Sequence, residues 1–431
     1  MKINSWSVVA LLLMGSMNTY AQETKPLSLE QAMQLAYENS NQSRLFNAKT
    51  KSSELAYISS KDNQLPEAKL TGTYMFMNSP SVDLKIPVGE GGGGMEMSSN
   101  HLMLGQLSVN MPLYTGGKIK NSIALAKDNW KATELQNMAN KENLAVEAMH
   151  DYIALYKVKK TTELIAENIK KAEQQVHDFK AMEANGVIAR NDLLKAELQL
   201  SNYKVSYQEA VKNTKVLNQK LAMLLGLNEN TEFKDIQLNH LQNALTSPSN
   251  VEDRHEIQSL NMQKQVAQDN LKIAKADYYP TIAATAGYAA LNLQNVATIT
   301  NAANVGVGVS YNISSLYKNN KKVNQAKQHI EETKFAIDDL TDKIKTQIYA
   351  SEQDVILAKE KQKLYQEAFD QAKENYRIVK DKYDNGVADT DDLLEADVQQ
   401  LQSQINLAVG EATIVEKYYE LKSASGQLNL K

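Results

Sequence analysis

Two stretches of this 431-residue chain, Lys118–Ala184 and Asn320–Tyr383, contain neither proline nor glycine. Each is roughly 65 residues, and an unbroken helix of that length is on the order of 100 Å long. A compact mixed core cannot absorb such a helix. Apolar residues recur along it at alternating spacings of four and three: Ile165, Ile169, Ala172, Val176 and Phe179 in the first stretch. Tyr365, Phe369, Ala372, Tyr376 and Val379 do the same in the second. That rhythm defines a coiled-coil seam, and its mismatch with the helical repeat imposes a left-handed supercoil. The composition suits long helices, with 6% aromatics, 18 Gly and 7 Pro.

The two stretches belong to two copies of one unit, offset by 200 positions. Gly186-Val-Ile-Ala-Arg-Asn-Asp-Leu-Leu-Lys-Ala-Glu197 aligns with Gly386-Val-Ala-Asp-Thr-Asp-Asp-Leu-Leu-Glu-Ala-Asp397. Ile123, Ala126 and Trp130 match Val323, Ala326 and Ile330, and Leu221 and Gly226 match Leu421 and Gly426. The duplication predicts a first repeat over 22–227, a linker over 228–250 and a second repeat over 251–431. Shorter helices are expected after the glycine turns, near Ala189–Leu225 and Thr390–Ser423. Others open the copies, near Leu29–Lys61 and Glu252–Ala276, with Ser28 and Gln31 forming a capping box for the first. The seam continues along Ala189–Leu225, while the second copy places Gln400, Ser403 and Lys417 on it.

Between each opening helix and its long helix, the apolar period switches to alternation. Pro66 and Pro280 stop the preceding helices. Strands are expected at Ala68–Asn78, Leu102–Pro112, Thr281–Asn292 and Val305–Ile313, giving hairpins over about 68–112 and 281–313. In the last strand Val305, Val307, Val309, Tyr311 and Ile313 share one face. About ten alternating residues suit a tilted strand crossing an outer membrane, though an edge hairpin of a soluble sheet would read similarly. The glycine run 89–94 reads as an external loop.

Lys2, the apolar run Val8–Met14 and Thr19-Tyr20-Ala21 read as a signal peptide, residues 1–21, removed before Gln22. With no cysteine, neither a disulfide framework nor a lipidated amino terminus is expected. The net charge of −4 is evenly spread, so no basic face points to nucleic acid. No other segment is apolar enough for a spanning helix, so any membrane crossing must use strands. Four strands cannot close a barrel, and open edges cannot face lipid; oligomerisation follows.

The order helix, hairpin, long helix, glycine turn, helix, stated twice, resembles the TolC family of outer-membrane factors. Leu29-Glu-Gln-Ala-Met33, Ala274-Lys-Ala-Asp-Tyr-Tyr-Pro280-Thr281 and the Gly-x₆-Leu-Leu-x-Ala turns carry the resemblance over nearly the whole mature chain. It implies a mainly α fold with a small β part. Three protomers would share a 12-stranded outer-membrane β-barrel above a coiled-coil helical barrel in the periplasm. It further implies a homotrimeric channel for efflux or type I secretion, seated in outer-membrane lipid. Its partners would be a periplasmic adaptor (a membrane fusion protein) and an inner-membrane pump, with no cofactor and no catalysis.

The family's glycine turns form the periplasmic tip, where adaptors dock and the pore narrows. By motif, Gly186, Arg190, Asp192, Leu193 and Leu194 belong to one tip turn. Tyr383, Gly386, Asp389, Asp392, Leu393, Leu394 and Glu395 belong to the other, with Asp392 and Glu395 matching acids that ring the constriction. Ala388 departs from the family's best-known member, which places there an Arg paired with the acid matching Asp192. Arg190 and Asp389 are the candidate replacement. The stretch 381–397 carries Asp381, Asp384, Asp389, Asp391, Asp392, Glu395 and Asp397 against Lys382 alone. A solvated helix start would also favour such acids.

Two rival classes are available. Glu147/His150 and Glu252/His255 have the spacing of di-iron helical bundles. The second pair opens a helix, and His150 reads as an exposed face beside Met149 and Ile153, so no metal site is expected. A structural coiled-coil protein of the periplasm would explain the heptads but not the strands.

Overall fold

The computed structural model describes residues 27–78, 81–82, 97–98, 100–234, 236, 238, 250–294, 297–428 and 430. The expected signal peptide, the glycine run 89–94 and most of the 228–250 linker lie outside these. The chain divides into two compact units. One comprises Met1–Leu45, Asn140–Asn250 and Ile344–Lys431, the other Phe46–Ala139 and Val251–Lys343.

The helices are α1 Leu29–Asn39, α2 Asn41–Asp62, α3 Lys118–Ala184, α4 Arg190–Leu224, α5 His255–Ala276, α6 Ser315–Asp384 and α7 Thr390–Ala424. The strands are β1 Glu67–Phe76, β2 Ser81–Val82, β3 Met97–Ser98, β4 His101–Tyr114, β5 Thr281–Leu293 and β6 Ala297–Ser310. The long helices α3 and α6 run for 67 and 70 residues.

Several boundaries differ from expectation, among them β6, which begins at Ala297, and α6, which begins at Ser315; three of the differences have a local reason. The opening helix is two helices, because Ser40 leaves helical ψ (151°). Its hydroxyl accepts from Ser43 N at 2.9 Å, and Ser43 Oγ donates to the Tyr37 carbonyl. Such side-chain bonds compete with the helical ladder. The second opening helix starts at His255, after a 3₁₀ turn at Val251–Asp253. The fourth strand ends at Ser310, leaving Tyr311 and Ile313 beyond it. There Asn312 Oδ1 accepts from Ser314 N at 3.2 Å, an Asx turn that leads into α6 at Ser315.

In the first unit, the expected capping box forms: Ser28 Oγ accepts from Gln31 N, and Gln31 Oε1 accepts from Ser28 N. The apolar face of α1 then packs on α3 and α7. Met33, Met149, Tyr152, Ile153, Leu155, Leu221 and Phe233 are fully buried in this core. Each large side chain stabilises by about 1.5–3 kcal/mol relative to exposure. The buried hydroxyl of Tyr152 donates to the Leu27 carbonyl at 2.7 Å, so its burial strands no polar group.

In the second unit, β1, β4, β5 and β6 form one antiparallel sheet in the order β1-β4-β5-β6. Register pairs Leu70 with Leu107, Leu107 with Tyr288, and Ala284 with Val307. Because side chains alternate, that register sorts the sheet into two chemically different faces. One carries Leu70, Tyr74, Phe76, Met103, Leu107, Val109, Met111, Ile282, Val305, Val307 and Val309. The other carries Lys69, Thr71, Thr73, Gln106, Ser108, Asn110, Thr285, Asn304 and Ser310 over the part nearer the helices, with Met75, Leu102, Leu104, Leu291 and Leu293 at its far end. The apolar face is open: Leu70 is 79% exposed, Phe76 67% and Val305 89%. No described helix is long and apolar enough to cross a membrane.

Candidate functional site

Both glycine turns lie in the first unit and are built alike. Helix α3 ends in a turn where Gly186 takes φ +69° and Val187 N donates to the Met182 carbonyl at 2.8 Å. Helix α6 ends with Gly386 at φ +73° and Val387 N on the Lys382 carbonyl at 2.8 Å. These are Schellman caps, which need a residue free of the Cβ penalty at positive φ. Val187 and Val387 stand exposed at the two apices.

Below the apices, the two hairpins share an apolar cluster of Val176, Phe179, Leu193, Ala196 and Leu393. Phe179 stacks on Tyr383 with ring centroids 5.7 Å apart, and Leu193 is fully buried. Leu194 is half exposed at the surface and Leu394 half buried against the cluster. A groove of 970 Å³ runs alongside, lined by Gln174, Met182, Ile188, Tyr376, Tyr383 and Asp397 among others.

The acids divide by role. Asp389 is the N-cap of α7: its carboxylate accepts from Asp392 N at 2.9 Å, and Asp392 returns a bond to Asp389 N at 3.3 Å. The first copy lacks this box, since Ala189 caps α4 with no side-chain bond. Glu395 is exposed and accepts from Gln399 at 3.0 Å. Asp391 joins Lys195 at 2.7 Å. Arg190 stands 4.0 Å from Glu183, and within one chain no Arg190–Asp389 pair forms among the described residues. Asp397, counted among the acids of this stretch, is buried and accepts from Tyr203 Oη at 2.7 Å and Asn168 at 3.4 Å. Tyr203 falls on the seam that continues along Ala189–Leu225, where the heptad rhythm alone gives no sign of its pairing with Asp397. The polar Asn168 outside the apolar rhythm was the available signal.

His150 corrects another reading. Its neighbours Met149 and Ile153 are fully buried, and its own ring is held between α3 and α7. Nδ1 lies 3.0 Å from Glu416 and Nε2 3.9 Å from Glu420. The three offer atoms within 4.8 Å of one another, as a metal site would. However, Lys157 pairs with Glu416, and Lys417 with Glu420 at 2.8 Å, so the carboxylates are already balanced by cations. The bond from Glu416 raises the His150 pKa above its ordinary value. Burial opposes ionisation of Glu416, yet bonds from His150 and Lys157 pull its pKa down to about 2.

The sign of the pH effect follows. The His150 contribution is complete below its unfolded pKa of about 6.5 and is lost as pH rises through the raised folded value. The Glu416 contribution is complete above an unfolded value of about 4.3 and is lost as pH falls towards 2. Together they act fully only between these limits. His150→Gln is expected to lower the thermal midpoint at pH 6 by the equivalent of about 1 kcal/mol, the ring being part-exposed. The deficit should shrink by pH 9. A deficit independent of pH would show that packing, not charge, gives His150 its role.

Residues 249–427 match the family described as "Outer membrane efflux protein". The chain is 23% identical over 336 residues to outer membrane efflux protein BepC of Brucella suis, covering 75% of this chain and 72% of that one. Its fold is similar to the CmeC outer membrane channel of Campylobacter jejuni, with a TM-score of 0.78 at 16% identity. That match covers 93% of this chain and 85% of CmeC. The open-state MtrE outer membrane channel of Neisseria gonorrhoeae gives a TM-score of 0.73 at 17% identity, covering 93% and 89%. The family match, the two-faced four-stranded sheet and the repeated helical hairpins agree: residues 249–427 of this chain match the outer membrane efflux protein family, and its fold is similar to that of solved outer membrane channels.

Proposed function

We infer that three copies of this chain close a 12-stranded barrel in the outer membrane, with the helical part in the periplasm. The two-faced sheet carries this reading. Its apolar side chains suit lipid, its polar side chains suit a water-filled lumen, and β1 and β6 are edge strands needing partners. The channel passes solutes or proteins outward by passive conduction and performs no chemistry of its own. A periplasmic adaptor and an inner-membrane pump would supply cargo and energy, the adaptor docking at the tip formed by Gly186, Arg190, Leu194, Gly386 and Leu394. Asp392 and Glu395, repeated three times, would line the constriction. The chain is read as a tandem duplication, 22–227 and 251–431, exported by a signal peptide over 1–21.

A single measurement tests assembly and processing together. Native mass spectrometry of detergent-extracted protein should show three copies, each beginning at Gln22. A stable monomer would end the channel reading, and chains retaining Met1 would end the export reading.

A further inference from the structure

Asp269 of α5 is a carboxylate with 1% of its surface exposed, and its two oxygens are served differently. Oδ1 accepts from Lys272, one turn along the same helix, at 2.7 Å. Oδ2 is sealed from solvent and has no hydrogen-bond donor. The side chain that reaches Asp269 from across the helix interface is another acid, Asp128 of α3. Two ionised carboxylates repel and offer each other no donor, so a bond between them needs a proton.

No cation takes the proton's place. Lys127 and Lys131 on α3 favour the ionised form of Asp128, but neither forms an ion pair with it among the described residues. Helix α2 meets α3 through Tyr57 stacked on Trp130, with Lys61 over the Tyr57 ring. Helix α6 meets α5 where Asn319 donates to the Ala274 carbonyl at 2.6 Å, and its Lys322 lies 3.9 Å from Asp277. Among the described residues, no ion pair joins either acid to α2 or α6. Burial first, and then the charge of Asp269, raise the Asp128 pKa above its ordinary value.

The duplication in the sequence supplies a comparison. Counted back from Pro66 and Pro280, Asp269 corresponds to Leu55, while Asp128 corresponds to Gln328. The other copy thus fills these positions with a leucine and an amide. Burying a carboxylate is costly, and apolar packing is often at least as stable. The other buried polar link between α3 and α5, from Ser259 Oγ to the Ala132 carbonyl at 2.9 Å, does not titrate. The acid pair alone makes this contact depend on pH.

We propose that Asp128 and Asp269 bind one proton between them, the Asp128 carboxyl donating to the Asp269 carboxylate, and that this shared proton locks α5 against α3. With the proton in place, the buried oxygen has its donor and a single negative charge remains, opposite Lys272. When the proton leaves, two carboxylates face each other across a poorly solvated gap, and α5 loosens. Asp128 holds its proton more tightly folded than unfolded, where its pKa is about 3.9. Its contribution is therefore complete below that value and is lost as pH rises through the raised one. Neither conduction nor oligomeric state enters this chemistry.

Hydrogen–deuterium exchange of the full chain in detergent tests it, read on peptides of α5 and corrected for the intrinsic effect of pH on exchange. Asp128→Asn keeps the shape of Asp128 and carries an amide that donates at any pH. Parent and variant should protect α5 equally at about pH 4, and the variant severalfold better at about pH 8. Infrared difference spectra locate the proton. At about pH 5, where ordinary carboxylates are mostly ionised, the parent should show a protonated-carboxyl carbonyl band that Asp128→Asn lacks. Asp269→Leu, which places there the residue of the other copy, should make α5 protection independent of pH. Equal protection of the parent and Asp128→Asn at both pH values, or no difference in the infrared band, overturns the proposal. So does a pH step that survives in Asp269→Leu, because another group then titrates. Protection of the parent at pH 8 that a chelator removes would put a metal ion between the acids, and overturns it too.

Discussion

Val307→Arg is expected to abolish assembly of the barrel. Val307 lies on β6 between Val305 and Val309, on the apolar face of the sheet, and is 66% exposed in the single chain. An arginine on a barrel's lipid face costs up to about 2–4 kcal/mol at the midplane and less towards an interface, or at most roughly 6–12 kcal/mol over three copies. Gln106→Arg is the control. Gln106 is also exposed, but register places it on the polar face, opposite Thr71 and Ala289. There an added charge meets water. Envelope fractions should contain oligomer for Gln106→Arg and almost none for Val307→Arg. Equal assembly of the two would mean that the faces are assigned the wrong way round, or that neither meets lipid.

Replacing Asp392 and Glu395 together by Ala is expected to weaken cation selectivity and block by trivalent cations, leaving assembly intact. The fold permits the change, since both side chains are exposed and neither belongs to the Leu193–Leu393 cluster. Asp392→Ala removes one bond of the capping box, but Asp389 still accepts from the backbone at position 392, so α7 keeps its start. With Asp392 and Glu395 ringing the constriction of a trimer, as proposed, the double substitution would remove six carboxylates from it. Each interacts with a unit charge by about 1 kcal/mol at 4 Å even in water, so trivalent affinity should fall by at least ~10-fold. Recording in planar bilayers with added trivalent ions decides the matter. A double variant blocked like the parent would leave Asp389 and Asp392 as helix-capping residues alone and remove both acids from the constriction.

Much of this molecule was legible in the sequence because its information is periodic. Heptad spacing and the absence of Pro and Gly predict Lys118–Ala184, the observed bounds of α3, since an uninterrupted helix is a local consequence of its own residues. The matching glycine turns were readable too, because positive φ after a helix is a local demand that glycine meets. Strand existence followed from alternation, while strand ends depended on an Asx turn at Asn312 and a bulge between Ala289 and Leu291. Those depend on which residues pair across the sheet. Pairing register alone decided that Leu70, Leu107, Tyr288 and Ala303 share a face.

The acids of residues 381–397 looked equivalent along the chain, each being one more charge near a helix start. Tertiary structure separated them into a cap at Asp389 and Asp392, a surface pair at Asp391, an open carboxylate at Glu395 and a buried one at Asp397. Likewise, His150 gained its partners from Glu416 and Glu420, more than 260 positions away. A carboxylate's chemistry depends on how much water it keeps and which donors reach it. Helical periodicity specifies which way a side chain points, but only the packing of α3, α4 and α7 against one another brings Tyr203 and Asn168 to Asp397 and leaves its carboxylate little exposed.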